Sequence, residues 1–165
     1  MEKKYEYAGQ HTKTFTRLPG FKNLIVWQKA SDLSALINEA IKHCGPGNFR
    51  LIDQMRGAMI SVTANIGEGY GSASIGNYIR YCLTARGSLF ELGSYLQDCE
   101  RWNLLQGESL EQILALYADV TFLLDRLIQS LKQKEQAGTW DKSFQMKEEQ
   151  AVYEIHASPG GNDAD

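Results

Sequence analysis

A chain of 165 residues, 43% hydrophobic and with only three prolines, has room for one domain with a real core and little space for a second. Seventeen Lys and Arg against twenty Asp and Glu leave a formal net charge of −3. That balance excludes a uniformly basic polynucleotide coat, though not a local basic patch. No apolar run of about eighteen residues occurs, so no membrane span is expected. Residues 1–5 lack the apolar core of a secretory leader, which points to the cytoplasm. The three cysteines, Cys44, Cys82 and Cys99, make a poor disulfide framework. On one helix Cys82 and Cys99 would lie ~25 Å apart, so reduced, buried thiols are expected.

In chain order, residues 1–22 carry five Lys or Arg and two Glu and read as a mobile basic arm. The first amphipathic helix is expected over residues 24–43, where Val26, Ala30, Leu33, Ile37, Ala40 and Cys44 recur at spacings of four and three. Gly45-Pro46-Gly47-Asn48 stops it, because neither Pro nor Gly continues a helix cheaply. The second helix is expected over 49–68, with Asn48 as its N-cap and a seam of Ile52, Met55, Met59, Val62 and Ile66. Gly67-Glu68-Gly69-Tyr70-Gly71 then reads as a helix C-terminus and turn. A phosphate-cradling loop follows a strand and opens a helix with free N–H groups, whereas this segment follows a helix.

The third helix is the longest, expected over 75–102 with Ser74 as cap. Tyr78, Cys82, Ala85, Leu89, Leu92, Leu96 and Cys99 hold a strict alternation of four and three. The fourth is expected to open at Ser109, with Gln112 at capping-box spacing, and to carry Leu110, Ile113, Tyr117, Val120, Leu124, Leu127 and Leu131 inward. Nothing between residues 23 and 134 alternates with period two long enough for a strand. Residues 135–165 hold two Lys against seven acids and few aliphatics, and read as a largely flexible acidic tail. Trp140, Phe144, Met146, Val152, Tyr153 and Ile155 are the residues of that tail able to dock. The division is therefore a 1–22 arm, a 23–134 bundle and a 135–165 tail. Short connections favour an all-α, antiparallel up-down-up-down four-helix bundle.

The pattern contains an excess. One apolar stripe satisfies a bundle helix, yet Ile79, Leu83 and Phe90 form a second line on the third helix, with Tyr81 and Tyr95 nearby. The fourth adds Leu116, Phe122, Leu123 and Ile128. Side chains beyond the seam must face something apolar, so self-association through Ile79, Leu83, Phe90, Tyr95 and Phe122 is expected.

Four ordered blocks carry a resemblance: Trp27-Gln28-Lys29-Ala30, Gln54-Met55-Arg56-Gly57-Ala58, Ser61 through Gly71, and Ala85-Arg86-Gly87-Ser88-Leu89-Phe90-Glu91-Leu92. Over about residues 21–134 the chain resembles the four-helix bundle proteins encoded by intervening sequences of ribosomal RNA genes. Gly67 stands where that family usually has Ala, and Gly57 where it often has Arg or Ala. The resemblance implies a left-handed bundle that assembles into a ring, commonly a pentamer. It also brings in a structurally similar relative, the basic pentameric accessory protein of diversity-generating retroelements, which works with a reverse transcriptase and its RNA. Association with nucleic acid is thus an analogy from relatives.

Arg56, Asn65, Glu68, Ser88 and Glu91 match the family motifs and form a candidate polar cluster near the corner of the second and third helices. An alternative is purely structural: Arg56 pairs with Glu91 across the bundle, since an unpaired buried charge is costly, while Asn65 and Ser88 satisfy backbone and packing demands. Gly87 in a helix interior suggests close approach of another helix. Candidate phosphate contacts are Lys3, Lys4, Lys13, Arg17 and Lys22 in the arm and Arg50, Arg56, Arg80, Arg86 and Arg101 in the bundle. Lys13, Arg17, Lys22, Arg80 and Arg86 are the foremost of these, because phosphate binding grows with the number of contacts. His11, His43 and His156 are scattered, and no His-x-x-x-His or Cys-x-x-Cys spacing suggests a metal. No nucleophile elbow occurs. The expectation is a non-catalytic oligomeric scaffold or adaptor without cofactor or metal. The alternative is a nucleic-acid accessory protein associated with ribosomal RNA or a reverse transcriptase.

Overall fold

The computed structural model describes residues 20–140. After a 3₁₀ turn at Gly20–Asn23 come four α-helices: α1 (Ile25–Ala40), α2 (Phe49–Tyr70), α3 (Ile75–Arg101) and α4 (Gly107–Ala137). No strand occurs among the described residues, as the absence of period-two patterning predicts. Two further 3₁₀ turns, Ile41–His43 and Pro46–Asn48, carry the chain from α1 to α2 around Gly45. Of the expected 1–22 arm, residues 20–22 are described and belong to the first 3₁₀ turn. Of the expected 135–165 tail, residues 135–137 prolong α4 past the expected bundle end at 134, and residues 138–140 follow it. The rest of both segments lies outside the described residues.

Each start signal meets its own fate. Ser74 caps α3 as expected: its Oγ accepts a hydrogen bond from the Asn77 amide at 3.2 Å. Asn48 precedes α2 but its side chain makes no cap bond, because the residue is already turning in the Pro46–Asn48 element. The helix expected to open at Ser109 begins two residues sooner, at Gly107, with Gln106 in the cap position. Gln112 bonds to Glu108 at 3.0 Å instead of closing a capping box on Ser109. The C-terminus of α4 is a glycine stop at Gly138, whose φ of +62° is left-handed. The amides of Gly138 and Thr139 return to the carbonyls of Glu135 and Lys134.

The inward stripes close on one another. Leu33, Ile37, Met55, Met59, Val62, Ile66, Leu89, Leu92, Leu96, Ile113 and Leu124 are all 2% exposed or less, and no polar residue among those described is buried. Each helix packs on its chain neighbours, and α1 packs on α4, so the seam α1–α2 lies opposite the seam α3–α4. Partners descend along α3 as they ascend along α2: Gln54 meets Tyr95, Ser61 meets Ser88, and Gly69 meets Tyr78. The same opposition holds between α3 and α4, where Arg86 meets Asp125 and Gly93 meets Tyr117.

Two glycines are set by space rather than by turn chemistry. A Cβ at Gly69 would lie 2.6 Å from the Tyr78 ring, and one at Gly93 would lie 2.5 Å from the Tyr117 hydroxyl. Gly67 and Gly69, expected to stop the second helix, therefore lie inside its last turns, and α2 runs on to Tyr70. Tyr78 sits edge-on between Tyr70 and Trp140, with ring centroids 6.5 and 6.1 Å away. That cluster ties the end of α4 to the start of α3.

The three cysteines are free. Cys82 and Cys99 are buried in the core, and the Cys99 thiol approaches the Met55 sulfur at 3.6 Å. Burial pushes the Cys82 thiol up to about 12 and the Cys99 thiol up to about 11. Both are inert neutral thiols at physiological pH.

Candidate functional site

Four of the five motif residues, Arg56 and Asn65 on α2 and Ser88 and Glu91 on α3, lie along the groove between the two helices. Asn65 donates from Nδ2 to the Ser61 carbonyl at 2.8 Å and to the Ser61 hydroxyl at 3.1 Å, one helical turn back. The Ser61 and Ser88 hydroxyls then join α2 to α3 at 2.7 Å. Further along, Tyr95 donates to Glu91 at 2.8 Å on its own helix and lies 3.4 Å from Gln54 on α2. The Glu91 carboxylate beside it holds the Tyr95 phenol above its ordinary pKa. The result is a half-buried polar strip along the α2–α3 groove. Two of its members, Ser61 and Gln54, are not among the candidate site residues read from the sequence, although Ser61 lies four residues before Asn65 and so shares its face.

The expected pairing of Arg56 with Glu91 does not form. Arg56 is exposed and makes no ion pair among the described residues. The argument for the pair required a buried guanidinium, and water already solvates this one. Arg56 and Glu91 instead line the same surface hollow, with Asp53, Gln54, Gly57 and Ser88. Glu68 is exposed near the end of α2, apart from that hollow. A Cβ placed at Gly87 would meet nothing within 4 Å, and neither would one at Gly57, so no described helix of the same chain accounts for either.

The outward line divides. Ile79 is 7% exposed and belongs to the core of its own chain, as does Ile128 at 4%. The stripe on α3 is wide enough that its first turn reaches inward, so Ile79 offers no surface. Leu83 and Tyr95 are half-buried. Phe90 and Phe122 stand out at 58% and 64% exposed. Each lies one helical turn from a member of the Arg86–Asp125 ion pair, which bridges α3 and α4 at 3.3 Å.

The expected phosphate contacts are scattered. Arg86 is committed to Asp125. Arg80 lies over the Tyr81 ring at 4.9 Å. Lys22 lies within the first 3₁₀ turn, where its carbonyl accepts from the Gln28 side chain. Lys13 and Arg17 lie outside the described residues. Arg50 and Arg56, both exposed on the first two turns of α2, are without ion-pair partners among the described residues.

Among the described residues no group of three or more His, Cys, Asp or Glu side chains is placed to hold a metal ion. No described helix is long and apolar enough to cross a membrane.

Four amphipathic helices around an apolar core, with a polar strip along one groove, define an all-α protein. Residues 22–126 match the family described as 23S rRNA-intervening sequence protein, and the chain belongs to that family. Among solved structures it resembles a protein of unknown function from the S23 ribosomal protein family of Bacteroides thetaiotaomicron. The TM-score is 0.60 at 22% identity, over 66% of this chain and 98% of the other, a likeness of fold. No curated protein matches the chain.

Proposed function

We propose that this protein is a non-catalytic, oligomeric scaffold: an antiparallel up-down-up-down bundle that assembles with copies of itself into a ring through the outer face of α3 and α4. The observation that carries this reading is the exposure of Phe90 and Phe122, 58% and 64%, on two adjacent helices whose inward faces are already full. Fully burying one such side chain contributes about 1.5–3 kcal/mol, so several copies of the pair supply a substantial drive to associate. Arg86 and Asp125, each about half exposed, form a polar rim beside the two rings. The test is sedimentation of the full chain carrying Phe90→Glu or Phe122→Glu. The scaffold reading expects dissociation into helical single chains. An unchanged particle mass, or loss of helix, counts against it.

A second reading is an accessory role on nucleic acid, with ribosomal RNA or a reverse transcriptase–RNA complex as partner. It is favoured by the family description and by the unpaired Arg50 and Arg56 on α2. RNA affinity falling steeply with salt, and weakened by Arg50→Gln with Arg56→Gln, supports it; no binding at low salt removes it.

A further inference from the structure

The seam opposite α3–α4 carries its own unpartnered surface. Along the α1–α2 groove, Phe49 is 74% exposed and Ile60 is 65% exposed, with half-buried Ile52 between them. Arg56 lines both hollows of this groove, and Arg50 and Lys42 border the one nearer the start of α2. Lys42 is satisfied by Glu39, and Asp53 adds one carboxylate, but Arg50 and Arg56 have no ion-pair partners among the described residues. Along α2 the groove therefore presents exposed Phe49, free Arg50, half-buried Ile52, free Arg56 and exposed Ile60 in that order.

We infer that residues 148–155 of the same chain, Glu-Glu-Gln-Ala-Val-Tyr-Glu-Ile, bind along this groove, the glutamates on Arg56 and Arg50 and the apolar residues on Phe49 and Ile52. The composition is complementary. Glu148 and Glu149 precede Val152 and Tyr153, and Glu154 follows them, so carboxylates flank an apolar pair just as the two arginines flank Ile52. Residues 135–165 hold seven acids against two lysines, the largest local excess of negative charge in the chain.

The reach and direction also agree. Trp140 is fixed against Tyr78, which in turn touches Tyr70 at the end of α2. From Tyr70, itself two ring contacts of 6.5 and 6.1 Å from Trp140, Arg56 lies ~21 Å and Arg50 ~30 Å back along the helix at the α-helical rise. Extended chain from Trp140 spans at most ~27 Å to Glu148 and ~48 Å to Glu154. A chain leaving that end meets Arg56 first and Arg50 second, the order in which its glutamates come. Because the α1–α2 and α3–α4 seams are opposed, this contact is compatible with the proposed assembly and does not rest on it.

Hydrogen exchange of the full-length protein, read by mass spectrometry, tests the contact. Amides of 148–155 should exchange about tenfold or more slowly than in an unstructured peptide, and Arg50→Gln with Arg56→Gln should return them to the peptide rate. Glu148→Gln, Glu149→Gln and Glu154→Gln together should do the same while leaving helix content and particle mass unchanged. Peptide-like exchange in the unmodified chain overturns the inference, as does protection indifferent to both sets of substitutions. Protection that disappears on dilution assigns the segment to a neighbouring copy and overturns binding within one chain. RNA binding that requires Arg50 and Arg56 yet is unchanged by the glutamate substitutions gives the groove to nucleic acid instead.

Discussion

Three helical glycines, Gly57, Gly87 and, in the last turn of α2, Gly69, offer a calibrated experiment, because their surroundings differ while their chemistry is the same. Gly57 and Gly87 have nothing within 4 Å of where a Cβ would be placed. Replacing either with Ala removes the backbone-entropy cost of glycine in a helix, about 1 kcal/mol. At Gly69 the same methyl would lie 2.6 Å from the Tyr78 ring and 3.2 Å from the Tyr81 Cβ. Tyr78 is 4% exposed and held between Tyr70 and Trp140, so it cannot swing aside. Overpacking of this kind costs about 1–3 kcal/mol, which offsets the propensity gain and leaves a net loss of about 1 kcal/mol. Thermal and urea unfolding followed by helical circular dichroism, under conditions that hold particle mass constant, measures all three. Gly57→Ala and Gly87→Ala should each raise the midpoint by about 4 °C, and Gly69→Ala should lower it by a similar amount. A stabilising Gly69→Ala would refute the packing argument. Gly87→Ala that stabilises the single chain but weakens assembly would place a neighbouring copy's helix against that position.

Ser88→Ala should cost about 1 kcal/mol by removing the inter-helix hydrogen bond of the half-buried Ser61 hydroxyl, which keeps only its bond from Asn65, and a double-mutant cycle with Ser61→Ala should recover a coupling of at least about 0.5 kcal/mol. Leu92→Ala, at a fully buried position of α3, should cost about 2–5 kcal/mol in urea unfolding. Alkaline stability provides a check on the core thiols. The Cys82 pKa is raised from 9.0 to about 12 in the fold, so its contribution is complete below pH 9 and is lost as the pH rises toward 12. The loss approaches about 1.4 kcal/mol per unit over that range, and Cys82→Ala should flatten the slope; a pH-independent midpoint between 9 and 12 would contradict the burial of that thiol. Thiol reagents should modify half-buried Cys44 long before Cys82 or Cys99.

The inward stripes were legible in the sequence because a helix of 3.6 residues per turn writes its buried face as spacings of three and four. Val26, Leu33, Met59, Cys82, Leu96 and Val120 all fall where that pattern puts them. Helix ends were less legible, since Asn48 and Ser109 are good cap residues that the connecting turns use differently. The width of the α3 stripe was the misleading feature. Periodicity separates the two faces of a helix but does not say how far a neighbour wraps around it, and Ile79 is covered where Phe90 is not. The Arg56–Glu91 pair failed for a related reason: arginine among apolar residues in sequence is not arginine among them in space. The Ser61–Ser88 bridge, the Gly93–Tyr117 contact and the exposure of Phe49 depend on inter-helix register, which no single helix pattern encodes.

The mass of the unmodified full-length chain in solution, measured by light scattering across a concentration series, bears most directly on the claim that exposed Phe90 and Phe122 join copies of this bundle. The claim predicts a particle of several chains that persists at micromolar concentration. A single-chain mass throughout the series would contradict it.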